Sequence, residues 1–109
     1  MIRLKPGVRL KGMQPQLALA AVLAEQVYGA IGADCTITSI NDGQHKSDSF
    51  HYRGLAMDLR IKDVRFEQRE SVITRLADAL GPEWDVLWEG KGTENEHAHL
   101  EYDPKAVMT

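Results

Sequence analysis

Two pairs of residues in this chain have the types that bind a transition metal. His51 and Asp58 lie seven positions apart, and His97 and His99 lie two positions apart towards the end of the chain. Two neutral imidazoles and one carboxylate are a common ligand set of catalytic zinc, because three protein ligands leave the fourth tetrahedral position for water. Such a water reaches a pKa of about 7 and needs a base nearby to accept its proton. Glu96, three residues before His99, is the candidate for that base.

The alternation of apolar and polar residues indicates which side of a sheet these side chains share. In the predicted strand LAMDLRIK, apolar residues alternate with Ala, Asp and Arg, so that Asp58 faces away from the core. In the predicted strand EHAHLEYD, the same alternation places His97 and His99 on the polar face. His51 lies in the loop that leads into the strand of Asp58. We therefore expect these side chains to meet on the open side of one sheet.

Two helices and two further strands must hold that sheet face in place. The segment PQLALAAVLAEQVYGAIG has apolar residues at helical spacing, with Pro15 in its first turn and Gly32 as its stop. The second helix, RFEQRESVITRLADAL, is predicted to be capped by Asp63, to bury an apolar stripe that includes Phe66, and to stop at Gly81. The segments CTITSI and WDVLWEG are predicted strands, and we expect both tryptophans of the latter to pack in the core.

Together these elements predict one α+β domain over residues 1–109. Strands that are adjacent in sequence favour a small, mainly antiparallel sheet of about four strands, with the helices packed on one face and the metal site on the open face. Alternation of basic and apolar residues between Ile2 and Lys11 indicates that the N-terminal arm adds an edge strand.

The composition excludes several classes of protein. The net charge is −3 and the thirteen Lys and Arg residues are scattered, so the chain lacks the basic patch of a nucleic-acid-binding domain. The single cysteine, Cys35, allows neither an internal disulfide nor a multi-cysteine zinc site, and we expect it to be a small buried hydrophobe. Neither a signal peptide nor a membrane-spanning segment is evident, which predicts a protein made in the cytoplasm without membrane insertion.

Two motifs resemble those of the zinc D-alanyl-D-alanine carboxypeptidase and phage L-alanyl-D-glutamate endopeptidase superfamily, which has the hedgehog-like peptidase fold. They are Ser49-x-His51-x-x-Gly54-x-Ala56-x-Asp58 and Glu96-x-x-His99, the latter with the His97-x-His99 pair. A chance match to the five positions of the first motif is on the order of one in a million at a given start, if each residue type has a frequency of roughly one in fifteen. Members of this superfamily cut the peptide part of bacterial cell walls.

The resemblance implies a role for each residue of the second motif and for the ligands in the first. It implies one zinc ion per chain, bound by His51, Asp58 and His99. Glu96 is implied to be the general base and then the general acid to the leaving amine. His97 is implied to stabilise the oxyanion or to support a ligand, and the division of labour between Glu96 and His97 stays open.

Other positions are implied to shape the site or to bind substrate. Ser49 holds the loop near the metal, and Gly54 lets the backbone turn into the strand. Most members carry an arginine before the first ligand, where this chain has none. Gln44, Arg53 and Arg60 are the candidates to bind substrate in its place, and the gap favours an endopeptidase over a carboxypeptidase.

The leading hypothesis is a zinc peptidase that cuts peptidoglycan stem peptides. We expect a monomer encoded by a phage or prophage, which acts on the cell wall after release or as part of a virion. The alternative is a non-catalytic virion or wall-binding module on the same fold, favoured by the missing arginine. A zinc hydrolase with another amide substrate is a third hypothesis. Manganese or iron also suits this set of donor residues.

Overall fold

The computed structural model describes residues 1–40 and 54–104, which form two helices and a five-stranded sheet. In chain order the elements are β1 Ile2–Leu4, α1 Pro15–Gly29, β2 Cys35–Ser39, β3 Ala56–Arg60, α2 Phe66–Leu80, β4 Trp84–Glu89 and β5 His97–Tyr102. The strands lie in the order β1-β2-β3-β5-β4, and within this sheet β1 and β2 are the parallel pair. This confirms an α+β fold with a mostly antiparallel sheet, and β1 is the edge strand predicted for the N-terminal arm.

The register of three neighbouring strands brings distant polar residues side by side. In the β3–β5 pair, Asp58 lies opposite His99. In the β4–β5 pair, Glu89 lies opposite His97 and Leu87 lies opposite His99. Because the side-chain period of a strand is two, these five residues share one face of the sheet.

The other face of the same strands carries the core. Strand residues of the opposite parity, Met57, Leu59 and Leu100, are fully buried. Their partners come from both helices and from the short connections: Leu17, Ala20, Ala24, Tyr28, Ile40, Ile61, Val64, Val72 and Leu76. Burying one Leu or Met side chain stabilises a fold by about 1.5–3 kcal/mol, so this apolar face fixes which way the polar face points.

Several side chains behave in the core as their types predict. Cys35 is buried, and burial raises the pKa of its thiol to about 12, so it is an inert small hydrophobe. Trp84 and Trp88 are partly buried and pack against the core, as predicted. The Tyr28 hydroxyl donates a hydrogen bond of 2.8 Å to the carbonyl of Arg60, which ties α1 to the end of β3.

The observed ends of the two helices agree only in part with those predicted from the sequence. α1 begins at Pro15, as predicted, but ends at Gly29 with Ala30 as its C-cap, three residues before the predicted stop; Gly32, with a φ of +75°, lies in the turn after the helix. The predicted cap at Asp63 is wrong, because α2 begins at Phe66 and its N-cap residue is Arg65, without a capping side-chain hydrogen bond. Phe66 is 63% exposed, so its predicted place in the buried stripe is also wrong.

The start of α2 explains both differences. The Val64 amide donates to the Ile61 carbonyl, so the chain makes a turn before the helix and Asp63 falls inside that turn. Phe66 is then the first helical residue, at the rim of the core. The centroids of its ring and the Trp88 ring lie 6.4 Å apart in an edge-to-face arrangement. Within residues 1–40 and 54–104, neither helix is long and apolar enough to cross a membrane.

Candidate metal centre

Asp58 and His99 form the centre of the polar sheet face. They belong to the two inner strands β3 and β5, which are paired on both sides, and their side chains are 13% and 11% exposed. Asp58 Oδ1 lies 2.9 Å from His99 Nδ1. Two residues that the sequence predicts as metal ligands are therefore direct cross-strand neighbours.

His97 and Glu89 complete a compact group around that pair. His97 Nε2 lies 3.1 Å from Glu89 Oε1 and 3.7 Å from Asp58 Oδ1. Glu89 Oε1 also lies 3.9 Å from His99 Nδ1. The other ring nitrogen of His97, Nδ1, donates a hydrogen bond of 2.6 Å to the carbonyl of Asn95, which fixes the ring so that Nε2 faces the carboxylates.

These donor atoms fit a metal ion. One ligand atom each from Asp58, Glu89 and His99 lies within 4.8 Å of the other two. Ligand atoms around tetrahedral zinc stand roughly 3.4 Å apart, given metal–ligand bonds of about 2.0–2.2 Å. The distances of 2.9 Å and 3.9 Å from His99 Nδ1 to the two carboxylates lie on either side of that value. The polar face therefore holds a possible metal-binding cluster.

The ring of His99 is held from its far side by Glu101. His99 Nε2 lies 3.1 Å from Glu101 Oε1, so a proton on Nε2 is donated to that carboxylate and Nδ1 is left for a ligand role. Burial lowers the pKa of His99, but hydrogen bonds with Asp58 and Glu101, and the negative charges of Asp58 and Glu89, outweigh burial and raise the pKa to about 9. Without a metal, His99 is therefore an imidazolium at neutral pH.

Glu96 does not join this group. Its carboxylate accepts a hydrogen bond of 3.1 Å from Arg69 Nη1 of α2 and one of 2.7 Å from Trp88 Nε1, on the side of the sheet that the helices cover. The side chain is 5% exposed. Burial raises the pKa of Glu96, but the Trp88 hydrogen bond and the charge of Arg69 outweigh burial and leave the pKa below its ordinary value. Its predicted catalytic role stays a prediction.

The remaining predicted site residues are placed as follows. Gly54 has a φ of +68°, and a Cβ atom there would collide with the Gly12 carbonyl oxygen, so the position requires glycine. Arg60 pairs with His97 in the β3–β5 register. The other predicted site residues, His51, Ser49, Gln44 and Arg53, lie outside the described residues.

Glu89 is the member of the group that sequence reasoning missed. It ends a segment whose two tryptophans, Trp84 and Trp88, indicate the side of β4 that faces the core. The alternation of that strand contained the signal, because Asp85, Leu87 and Glu89 have the parity that faces away from the tryptophans.

The chain was also compared with protein-family models, with curated proteins and with solved structures, and none of the three comparisons gave a match.

Proposed function

We propose that the protein is a zinc-dependent peptidase that hydrolyses peptide bonds in the stem peptides of bacterial peptidoglycan, as an endopeptidase rather than a carboxypeptidase. One observation carries the proposal. Asp58 and His99, which the superfamily motifs imply are zinc ligands, have their donor atoms 2.9 Å apart within a cluster able to hold a metal. His51 is proposed as the third ligand of one zinc ion per chain.

The residues of the polar face are proposed to have different roles. Asp58 and His99 bind the metal, and Glu101 orients the ring of His99 through its Nε2 atom. When bound, zinc supplies a Lewis acid that polarises the scissile carbonyl and acidifies water. His97, with Nδ1 fixed on the Asn95 carbonyl, presents Nε2 to the same space and is proposed to stabilise the oxyanion.

Three polar residues are proposed to bind substrate. Arg60 follows Asp58 by two positions in β3, so it shares the polar face with the cluster and has the charge to meet a carboxylate of the stem peptide. Arg53 and Gln44 are proposed as further contacts from the preceding segment. By analogy with the superfamily, we propose that the protein is encoded by a phage or prophage and degrades the wall as an endolysin or a virion component.

The test of this function measures zinc and product on the same samples. Wild-type protein and the variant Asp58→Asn are purified without chelator, and their zinc content is determined by elemental mass spectrometry. The same samples are then incubated with purified muropeptides, and products are identified by liquid chromatography and mass spectrometry. We expect about one zinc per chain and cleaved stem peptides for the wild type, and loss of both for the variant.

A matched control variant and the identity of the products make this test more specific. Asp78→Asn removes the same charge from an exposed position of α2 and is expected to retain zinc and activity. New amino termini within the stem peptide identify an endopeptidase, whereas free D-alanine identifies a carboxypeptidase. Bound zinc without any cleavage would refute the peptidase and support the non-catalytic wall-binding module.

A further inference from the structure

We propose that Leu87 determines part of the substrate specificity, because its exposed side chain contacts an apolar side chain of the substrate peptide next to the bond that is cut. This role of Leu87 rests on the proposed function and concerns a residue outside both superfamily motifs. It follows from the place of Leu87 in the strand register, from its exposure and from the position of β4 at the edge of the sheet.

Leu87 lies in the same row across the sheet as the centre of the candidate metal site. Asp58 is opposite His99 in the β3–β5 pair, and Leu87 is opposite His99 in the β4–β5 pair. The Cβ atoms of residues directly opposite each other stand about 4.5–5.5 Å apart, so Leu87 lies beside His99 on the side away from Asp58. An apolar side chain therefore borders the residues that the proposed function assigns to the metal.

The side chain of Leu87 is an apolar group on a face of β4 that is otherwise acidic. Leu87 is 48% exposed, whereas Leu100 on the opposite face of the sheet is fully buried. The residues of β4 that share its parity, Asp85 and Glu89, are both acidic. Exposed leucines are common on protein surfaces, but this one borders the candidate metal centre, where a bound peptide would cover it.

The position of β4 leaves a path for that peptide. β4 is the outermost strand on its side of the sheet, so the described part of the chain places no further strand beyond Leu87. One residue of an extended peptide spans about 3.3 Å, and neighbouring strands lie about 4.8 Å apart. A peptide that has a carbonyl group at the Asp58–His99 pair and crosses towards β4 thus brings the side chain of an adjacent residue against Leu87. Burial of apolar surface on both partners favours an apolar residue at that place.

The contact predicts a preference for alanine over glycine next to the cleaved bond. One methylene group in an apolar pocket changes kcat/KM by about 10- to 200-fold. Because Leu87 forms one half-exposed wall and not a closed pocket, we expect a preference at the lower end, about 10-fold. A contact that is equally strong in the ground state and the transition state changes KM and leaves kcat unaltered.

The experiment combines one substitution in the protein with one in the substrate. The proteins are the wild type, Leu87→Asn and, as a matched control, Leu19→Asn at a 63% exposed position of α1. The substrates are a stem peptide that the wild type cleaves and its analogue in which glycine replaces the alanine next to the cleaved bond. Zinc content and melting temperature are measured on the same samples.

We expect the wild type and the control to prefer the alanine peptide by about 10-fold in kcat/KM, and Leu87→Asn to prefer it by about twofold or less. The KM of Leu87→Asn for the alanine peptide should rise, while its kcat, zinc content and melting temperature stay those of the wild type. A purely structural role of Leu87 would instead lower the activity on both peptides alike.

Several results would overturn this role of Leu87. They are a Leu87→Asn variant that keeps the alanine preference, one that loses activity equally on both peptides, and one that loses its zinc. A cleaved bond without alanine on either side would also contradict the proposed contact.

Failure of the proposed function gives a different result. A wild-type protein that cleaves neither peptide refutes the peptidase, and the dissociation constants of the same two peptides, measured by calorimetry, then decide whether the contact exists. An alanine preference of about 10-fold that Leu87→Asn abolishes would uphold the contact in a binding module. Equal binding of the two peptides by the wild type, or no binding of either, would overturn it.

Discussion

His99 Nδ1 lies 2.9 Å from Asp58 Oδ1, although 41 positions separate the two residues along the chain. The pair is internal to the sheet, and its partners on either side are Glu89 and Glu101. In the absence of metal the three carboxylates hold a proton on His99, whose pKa is raised to about 9. A metal ion that bound His99 Nδ1 would therefore have to displace a proton.

Zinc affinity should fall as the solution becomes more acidic. Because the pKa of His99 is raised to about 9, the ring is protonated throughout the range below that pH, and zinc must displace about one proton from it. We expect the apparent affinity to weaken about tenfold for each pH unit between pH 8 and pH 7. Competition titrations against a chromophoric chelator, corrected for the chelator's own protonation, measure this slope. A flat profile would show that His99 Nδ1 is not a ligand.

Removing His51 should weaken zinc binding without unfolding the protein. If His51 is the third ligand, His51→Ala leaves only Asp58 and His99 of the proposed ligands. Losing a residue that merely hydrogen-bonds a ligand already weakens metal affinity by about 10- to 100-fold, so we expect the loss of a ligand to weaken zinc affinity by about 10²-fold or more. Elemental analysis after gel filtration gives the zinc content, and circular dichroism checks the fold. His45→Ala is the matched control, because it removes a histidine that belongs to neither motif. Equal zinc in both variants would contradict the role of His51.

The Glu96 carboxylate should stabilise the fold in a pH-dependent manner. Its folded-state pKa is lowered, so its contribution is present above the ordinary value of 4.5 and is lost as the pH falls through the lower folded-state value. We expect Glu96→Gln to lower the free energy of unfolding by about 2–4 kcal/mol at pH 7, because the poorly solvated Arg69 loses its carboxylate partner. The difference from the wild type should shrink at about pH 3. Denaturant unfolding at both pH values tests this, and an unchanged difference would contradict it.

Gly54→Ala should destabilise the protein more than Gly7→Ala. Both glycines have a positive φ, +68° and +92°, so alanine costs about 1–2 kcal/mol at either position. A Cβ atom at Gly54 would also meet the Gly12 carbonyl oxygen, whereas at Gly7 it meets nothing within 4 Å. We expect the Gly54 variant to lose at least about 2 kcal/mol more. The new Cβ atom would collide with backbone atoms, which cannot move aside as a flexible side chain could. Equal melting temperatures for the two variants would argue against the close approach of residues 12 and 54.

The positions of Asp58 and His99 were predictable because strand alternation is a local property. The apolar neighbours Met57, Leu59 and Leu100 fix which side is buried, and this alone determines the face of the polar residues between them. Joining the two strands required only that they be neighbours in the sheet.

The place of Glu89 was not predictable in the same way. Its contact with His97 depends on the register of β4 against β5, and that register is determined by the turn between them. In that turn Gly90 has a φ of +64°, and a Cβ atom there would lie 2.6 Å from the Asn95 carbonyl oxygen. For Glu96, short sequence distance from His99 suggested a common site, but alternation assigns it to the other face.

The pairing of β3 with β5 also has a consequence for the order of events during synthesis. Asp58 leaves the ribosome 41 residues before His99, which corresponds to about 2–8 s at usual elongation rates. β5 is the last of the five strands to be made, and until it emerges Asp58 has no imidazole beside it from that strand. Because β5 also lies between β3 and β4 in the sheet, the sheet and the candidate metal centre are assembled only after β5 has been made.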